Sequence, residues 1–277
     1  MITEQLYLKF IKTLCLMDDV FFSAVFMNQQ KALSLVLNTI LDNSEIDLIS
    51  AETQFAIISL AGRSSFLDSF ATDSHGNHYN LEVQKKTSKQ LPKRVRYYGV
   101  AIDSISLQKG QSTDELKETH VIFITRKDYY GQNCPVYHVD DIVRELGIPF
   151  NAGIHYYIVN GEYEGDNDIG KLMHDFRCTD PDDMKIPLLA NIVRSFKETK
   201  EGIEMMYECF EDYVNEERIA AEEKGRAEGM VEGEAKGRLE CIISLTKSLL
   251  KSGMSPEEVA QKAEVPLEQV LKLFKEQ

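Results

Sequence analysis

The chain has 277 residues, 43% of them apolar and 27% charged, no tryptophan, and a formal net charge of −14. That length suits one large domain with an appendage. No apolar run approaches the ~20 residues of a bilayer span, and the N-terminus lacks the basic-then-apolar layout of a signal peptide. The 5 cysteines are scattered and never spaced as CxxC, which argues for reduced thiols in a cytoplasmic protein and against structural zinc.

Residues 1–43 read as helices. Val20, Phe21, Val25 and Phe26 line one side of a short helix beginning near Asp18, and Leu33, Val36, Leu37, Ile40 and Leu41 form a second apolar stripe. Strands follow: Gln54 to Leu60, then Ser64 to Thr72, then His78 to Gln84. Between the last two, Asp73-Ser74-His75-Gly76-Asn77 has turn chemistry, with Gly76 free to take positive φ. His75 and His78 form an HxxH, read here as turn residues rather than metal ligands.

A helix begins at Pro92, which suits a first turn. Leu91, Val95, Tyr98, Ile102 and Ile105 give it one buried face, and the basic residues beside that stripe are expected to face outward. From Lys85 to Arg96 there are 6 bases (Lys85, Lys86, Lys89, Lys93, Arg94, Arg96) and no acid. Such a patch binds a polyanion even in an acidic chain. His120 to Thr125 is a continuous apolar run, as in a buried strand. Val136–Val139 and His155–Val159 are further strands, and residues 183–220 return to helix.

From Lys224 the texture changes. Gly225, Gly229, Gly233 and Gly237 recur every 4 residues. Each costs a helix roughly 1 kcal/mol relative to alanine, so the spacing points either to close helix–helix contact or to a flexible linker. Residues 239–277 form a small helical appendage with a capping box at Ser255-Pro256-Glu257-Glu258. With 5 bases and 5 acids over 241–277, it reads as an association module rather than a DNA reader. The expected divisions are a core over 1–200, an acidic helical linker over 201–238, and the appendage.

The chemistry concentrates on the hairpin. Phe66, Asp68 and Phe70 share one strand face, and Asn80, Glu82 and Gln84 share one on the return arm. A carboxylate between phenylalanines is costly unless paired or bound to metal. If the register aligns these faces, Asp68 and Glu82 converge on one cation, and two hard oxygens suit Mg²⁺ or Mn²⁺. Such an ion activates water and stabilises charge on a phosphodiester. The competing reading pairs Asp68 with Arg63 or Arg96 and leaves Glu82 at the surface.

The stretch Gly62-Arg63-Ser64-Ser65-Phe66-Leu67-Asp68, followed by Ala71-Thr72-Asp73 through Asn80-Leu81-Glu82-Val83-Gln84, resembles the signature of the PD-(D/E)xK nuclease family of transposase-like proteins, which includes the recombination-promoting nucleases of bacteria. Lys93-Arg94-Val95-Arg96-Tyr97-Tyr98 is similar to the basic-aromatic helix that follows there, and Asp18-Asp19-Val20-Phe21-Phe22 to that family's opening. The likeness runs over roughly residues 15–200.

The resemblance implies an α/β, restriction-endonuclease-like core, with a mixed central sheet flanked by helices and an α-helical C-terminal extension. It implies Mg²⁺-dependent hydrolysis of DNA. Asp68 and Glu82 are then the metal ligands, with the Val83 carbonyl a third. Gln84 stands where the wider superfamily has its catalytic lysine. Lys86, on the same strand face if the strand continues, is a candidate substitute. Asp18 or Asp19 supplies an accessory carboxylate, unless it only caps the first helix. Lys85, Lys89, Lys93, Arg94, Arg96 and Tyr97 are the expected DNA contacts, and dimerisation through the C-terminal helices is expected. Against this stands a second reading: a nuclease-like interaction protein without activity.

Overall fold

The computed structural model describes residues 4–57, 65–86 and 89–275. Three helices open it: α1 (Glu4–Thr13), α2 (Asp19–Phe26) and α3 (Gln30–Leu41). The aromatic run of α2 is buried, Phe21, Phe22 and Phe26 completely so. Strands β1 (Leu48–Ile57), β2 (Ser65–Asp73) and β3 (His78–Gln84) follow, then α4 (Leu91–Ser106). Next come β4 (Thr119–Thr125), β5 (Val136–Val139), the short pair β6 (Ile142–Val143) and β7 (Ile148–Pro149), and β8 (Ile154–Asn160). Helices α5 (Asp168–Arg177), α6 (Pro187–Glu198), α7 (Lys200–Lys251), α8 (Pro256–Ala263) and α9 (Leu267–Lys275) complete the chain.

Among the described residues the main sheet has the order β1-β2-β3-β4-β8-β5. The β1–β2–β3 meander is antiparallel, β3–β4 and β4–β8 are parallel, and β5 closes the edge antiparallel to β8. This is the expected mixed α/β sheet. The parallel step from β3 to β4 needs a crossover, which α4 supplies. One sheet face packs on α1, α2, α3, α5 and α6 through Leu81, Val83, Ile122 and Ile124. The other packs on α4 through Val121, Phe123 and Ile158. Burial on both faces explains why β4 reads as an unbroken apolar run. Gly99 lets α4 lie close to β8, because a Cβ there would sit 3.3 Å from Ile154 Cγ2.

Several expectations shift. The first strand begins at Leu48, and its expected end at residues 58–60 lies outside the described residues, as do Gly62, Arg63 and Ser64. Ile105 does not join the α4 stripe and is 43% exposed. Helix α5 was not anticipated. Gly76 does take φ +87° in the hairpin turn, where the buried Asp73 accepts from the His75 and Asn77 amides and from the Tyr79 hydroxyl, each at 2.9 Å. His78 faces Thr72 Oγ1 and the Phe70 ring.

The chain divides into two compact units, Met1–Glu211 and Asp212–Gln277. The expected boundaries at 200/201 and 238/239 do not appear as breaks: α7 is continuous from Lys200 to Lys251. The smaller unit has its own apolar cluster of Leu250, Val259, Val265 and Val270, and Ser255 with Glu258 forms the expected capping box. No single helix among the described residues is long and apolar enough to cross a membrane. None of the 5 cysteines forms a disulfide.

One buried cation ties the N-terminal segment down. Lys197 of α6 donates to the carbonyls of Leu14 and Thr179, each at 2.5 Å, and more distantly to that of Lys12 at 3.3 Å. It also lies 5.1 Å from the Phe21 ring centre. Lys197→Met keeps the chain length but leaves these carbonyls without a donor. It is expected to cost about 2 kcal/mol, read as a lowered urea midpoint.

Candidate active site

The hairpin register pairs Ser69 with Leu81, which sets Asp68 opposite Glu82 one step further along. There side chains replace the backbone ladder. The Asp68 amide donates to Glu82 Oε1 at 2.9 Å, and the Val83 amide donates to Asp68 Oδ2 at 3.0 Å. Each carboxylate therefore holds the opposite strand's backbone, and the two acids are bound to converge. On the other side of β2, Thr53 pairs with Ser69 and Phe55 with Leu67, which leaves Gln54 at the level of Asp68 between them. Gln54 has a left-handed backbone, φ +52°, and its Nε2 donates to Ser23 Oγ on α2 at 2.7 Å. A non-glycine residue in that region costs of order 1 kcal/mol.

Glu82 is 1% exposed, while Asp68 as a residue is half-buried with its carboxyl set among protein atoms. Burial pushes the Asp68 carboxyl up to about 7; the Val83 amide opposes this, the Asp19 charge adds to it, and Arg94 offsets part of it. Glu82 is pushed well above the usual carboxylate range by burial first and the neighbouring Asp68 second. The Asn80 side chain beside Glu82 favours its anion.

Among the described residues, Arg94 is the cation that acts on both acids. Its Nη2 lies 3.7 Å from Glu82 Oε2 and donates to the Tyr98 hydroxyl at 3.1 Å. The guanidinium sits 5.5 Å and 5.4 Å from the Tyr98 and Phe123 ring centres. This corrects the expectation that all basic residues of α4 face outward: Arg94 turns in. The Asp18/Asp19 ambiguity also separates. Asp18 occupies the N-cap position of α2 but bonds none of that helix's amides with its side chain. It accepts instead from the Cys15 amide at 2.9 Å and is ion-paired to Lys85. Asp19 is the one whose charge acts on Asp68, and burial raises its own carboxyl.

Lys86 is a correction. Strand β3 ends at Gln84, so Lys86 lies exposed in the bend beyond it and shares no strand face with Glu82. Gln84 remains, with a buried Oε1 that has no hydrogen-bond partner among the described residues. Lys89, Lys93, Arg96 and Tyr97 are exposed around the first turns of α4, and Lys85 is engaged by Asp18. Nothing in the sequence signalled Gln54 or Ser23.

Among the described residues no set of three or more His, Cys, Asp or Glu side chains is arranged to hold a metal. The side-chain oxygens that converge here belong to two carboxylates, a hard set. Two buried acids facing one partly engaged arginine, beside an acceptor with no donor at Gln84, leave a deficit of positive charge that a divalent cation fits.

A linkage experiment follows from the sign of the Asp68 shift. Its folded carboxyl titrates at about 7 against an ordinary 3.8, so the folded state holds the extra proton. The stability this contributes is fully present below the ordinary carboxylate range and is lost as pH rises through about 7. Asp68→Asn keeps an acceptor for the Val83 amide and removes the charge. It should raise the metal-free melting temperature at about pH 8 by roughly 3–6 °C, with little change near pH 4. Millimolar Mn²⁺ should raise the wild-type melting temperature at about pH 8 but not near pH 5, and should not raise that of the variant.

A family model described as PD-(D/E)XK nuclease family transposase matches residues 16–160. No curated protein and no solved structure matches the chain.

Proposed function

From the chain's membership of the PD-(D/E)XK nuclease family transposases, we propose that it is a metal-dependent DNA endonuclease, serving recombination or a mobile element, with Asp68 and Glu82 at its centre. The observation that carries this is the reciprocal grip of the two carboxylates on each other's strand. It presents two buried, electrostatically undercompensated acids on one sheet face. Asp68, Glu82 and the Val83 carbonyl would hold one Mg²⁺ or Mn²⁺. The chemistry such an ion supplies when bound is activation of a water and compensation of charge on the phosphodiester.

The chain's own residues do the rest. Asp68 and Glu82, held by backbone amides, are fixed before substrate arrives, so no reorganisation is needed at the moment of reaction. Arg94, anchored by Tyr98 and Phe123, brings a permanent positive charge to the Glu82 edge of the site. With Gln84 uncharged, Arg94 is the fixed cation available to a phosphate there. Gln84 contributes an amide that orients by hydrogen bonding and moves no proton. Asp19 adds a third carboxylate at the α2 edge. Lys89, Lys93, Arg96 and Tyr97 offer an exposed, mostly cationic face for the flanking backbone, which supplies affinity rather than sequence reading.

Supercoiled plasmid incubated with Mg²⁺ should be nicked. EDTA, Asp68→Ala and Glu82→Ala should each abolish nicking, and Arg94→Ala should slow it roughly 100-fold. Equal cutting by wild type and both carboxylate variants removes this assignment. The uncharged Gln84 favours one alternative, a nuclease-like protein that binds without cutting; that reading predicts plasmid retention on a gel with no metal-dependent nicking.

A dimer through the C-terminal helices belongs to the same proposal, since two equivalent sites address antiparallel strands. Gly225, Gly229, Gly233 and Gly237 are exposed on α7, and a Cβ added at any of them meets open space. Deleting residues 225–277 is expected to leave the sheet domain folded and to bring the mass by light scattering to that of a single truncated chain. A mass of two truncated chains excludes this interface.

A further inference from the structure

Beside α4 lies a second feature that the two carboxylates do not use. A pocket of about 130 Å³ is lined by Leu91 and Val95 of α4, Tyr156 and Ile158 of β8, and Tyr129 and Tyr130 of the loop after β4. It is well below the ~300–1,000 Å³ of clefts that take whole small molecules. It has room for a single flat ring system, and its walls are apolar and aromatic. The loop that carries two of its tyrosines is held in shape. Asp128 accepts from the Asn133 amide at 2.7 Å, the Tyr130 amide at 3.1 Å and the Tyr137 hydroxyl at 2.7 Å. Tyr130 packs edge-on against Tyr129 and Tyr137 with ring centres 4.9 Å and 4.8 Å away, yet it remains 46% exposed at the mouth.

The position of the pocket gives it meaning. Glu82 is in register with Phe123, and Phe123 with Ile158. All three side chains share the α4-side sheet face, and two strand spacings put Ile158 about 10 Å from Glu82. The surroundings carry both signs of charge. Lys93 is exposed one residue after the pocket-lining Pro92. Arg96 bears electrostatically on the Tyr156 hydroxyl, as do Asp141 and Asp103 with the opposite sign. Lys93 and Arg96 favour a polyanion along the first turns of α4, while Asp103 further along that helix and Asp141 oppose it near Tyr156.

Resting on the nuclease reading above, we propose that this pocket receives one unpaired base of the DNA. The preferred substrate class is then DNA with a gap, flap or frayed end within a few nucleotides of the cut. Bases in a duplex are stacked about 3.4 Å apart and cannot present a free face to Tyr130 or Tyr156, whereas an unpaired base can. Stacking on tyrosine tolerates any base because every base has a π-face, so the pocket selects for strand state and not for sequence.

The test is binding in EDTA, where cutting does not intervene. Fluorescein-labelled duplex and the same duplex with a short unpaired gap are titrated with the full chain by anisotropy. Wild type should bind the gapped DNA about tenfold more tightly. Tyr130→Ala removes the stacking face, and Val139→Trp fills the pocket from a wall position that is 39% exposed. Both positions are partly exposed, and folding is checked by circular dichroism. Each variant should bring the gapped DNA to the affinity of the duplex. An abasic nucleotide walked through the gap should weaken wild-type binding about tenfold at one position. If both variants keep the preference, or no abasic position matters, the pocket does not hold a base, and the nuclease reading stands on the nicking assay. Wild-type protein that binds neither DNA overturns the nuclease reading and this inference with it.

Discussion

Two carboxylates that each accept the opposite strand's backbone amide are the constraint around which this domain is arranged. An antiparallel ladder normally satisfies its own N–H groups. Here the ladder yields at one step, and acidic side chains take over as acceptors for Asp68 and Val83. Because buried amides are costly to leave unpaired, neither acid can turn away without orphaning the other's strand. The repulsion between the two acids is held in place by hydrogen bonds that the fold needs for its own sake.

The surrounding layers answer that concentration of negative charge in different ways. From above the sheet, α4 lowers an arginine whose orientation is set by two aromatic rings rather than by a full ion pair. From the edge, α2 brings Asp19 and worsens the deficit, while Asp18 is neutralised by Lys85 and kept apart. On the far side of β2 the left-handed Gln54 abandons regular strand geometry at the level of Asp68 and fastens to α2. Strain, burial and like charge thus coincide within one cross-section of the sheet. The proposed cation site rests on that coincidence.

Much of this was legible in the residues. Period-two alternation put Asp68 and Glu82 on definable faces, and the Asp73–Asn77 turn chemistry brought the arms together. The unbroken run Val121-Ile122-Phe123-Ile124 marked a central strand. Other features depend on geometry that local pattern does not carry. Whether Arg94 points out or in is decided by Phe123, a residue 29 positions later. The choice between Asp18 and Asp19 turns on where Lys85 ends up. Lys86 failed because the face argument needed a strand that stops at Gln84. A left-handed glutamine inside a strand has no compositional signature, and the aromatic pocket joins side chains from four separate segments.

The buried Lys197 has a consequence for when the site comes into being. The hairpin acids are 14 residues apart and can meet early, but the bond from Lys197 to the Leu14 carbonyl spans 183 residues. Contacts that distant in sequence form late, and synthesis delivers α6 last among the helices packed on that face. A ribosome-bound chain therefore carries the acidic hairpin well before the segment leading to Asp19 is anchored. Completion of the domain, rather than synthesis of its acidic residues, therefore sets the moment at which the hairpin acids and the α2 segment stand together.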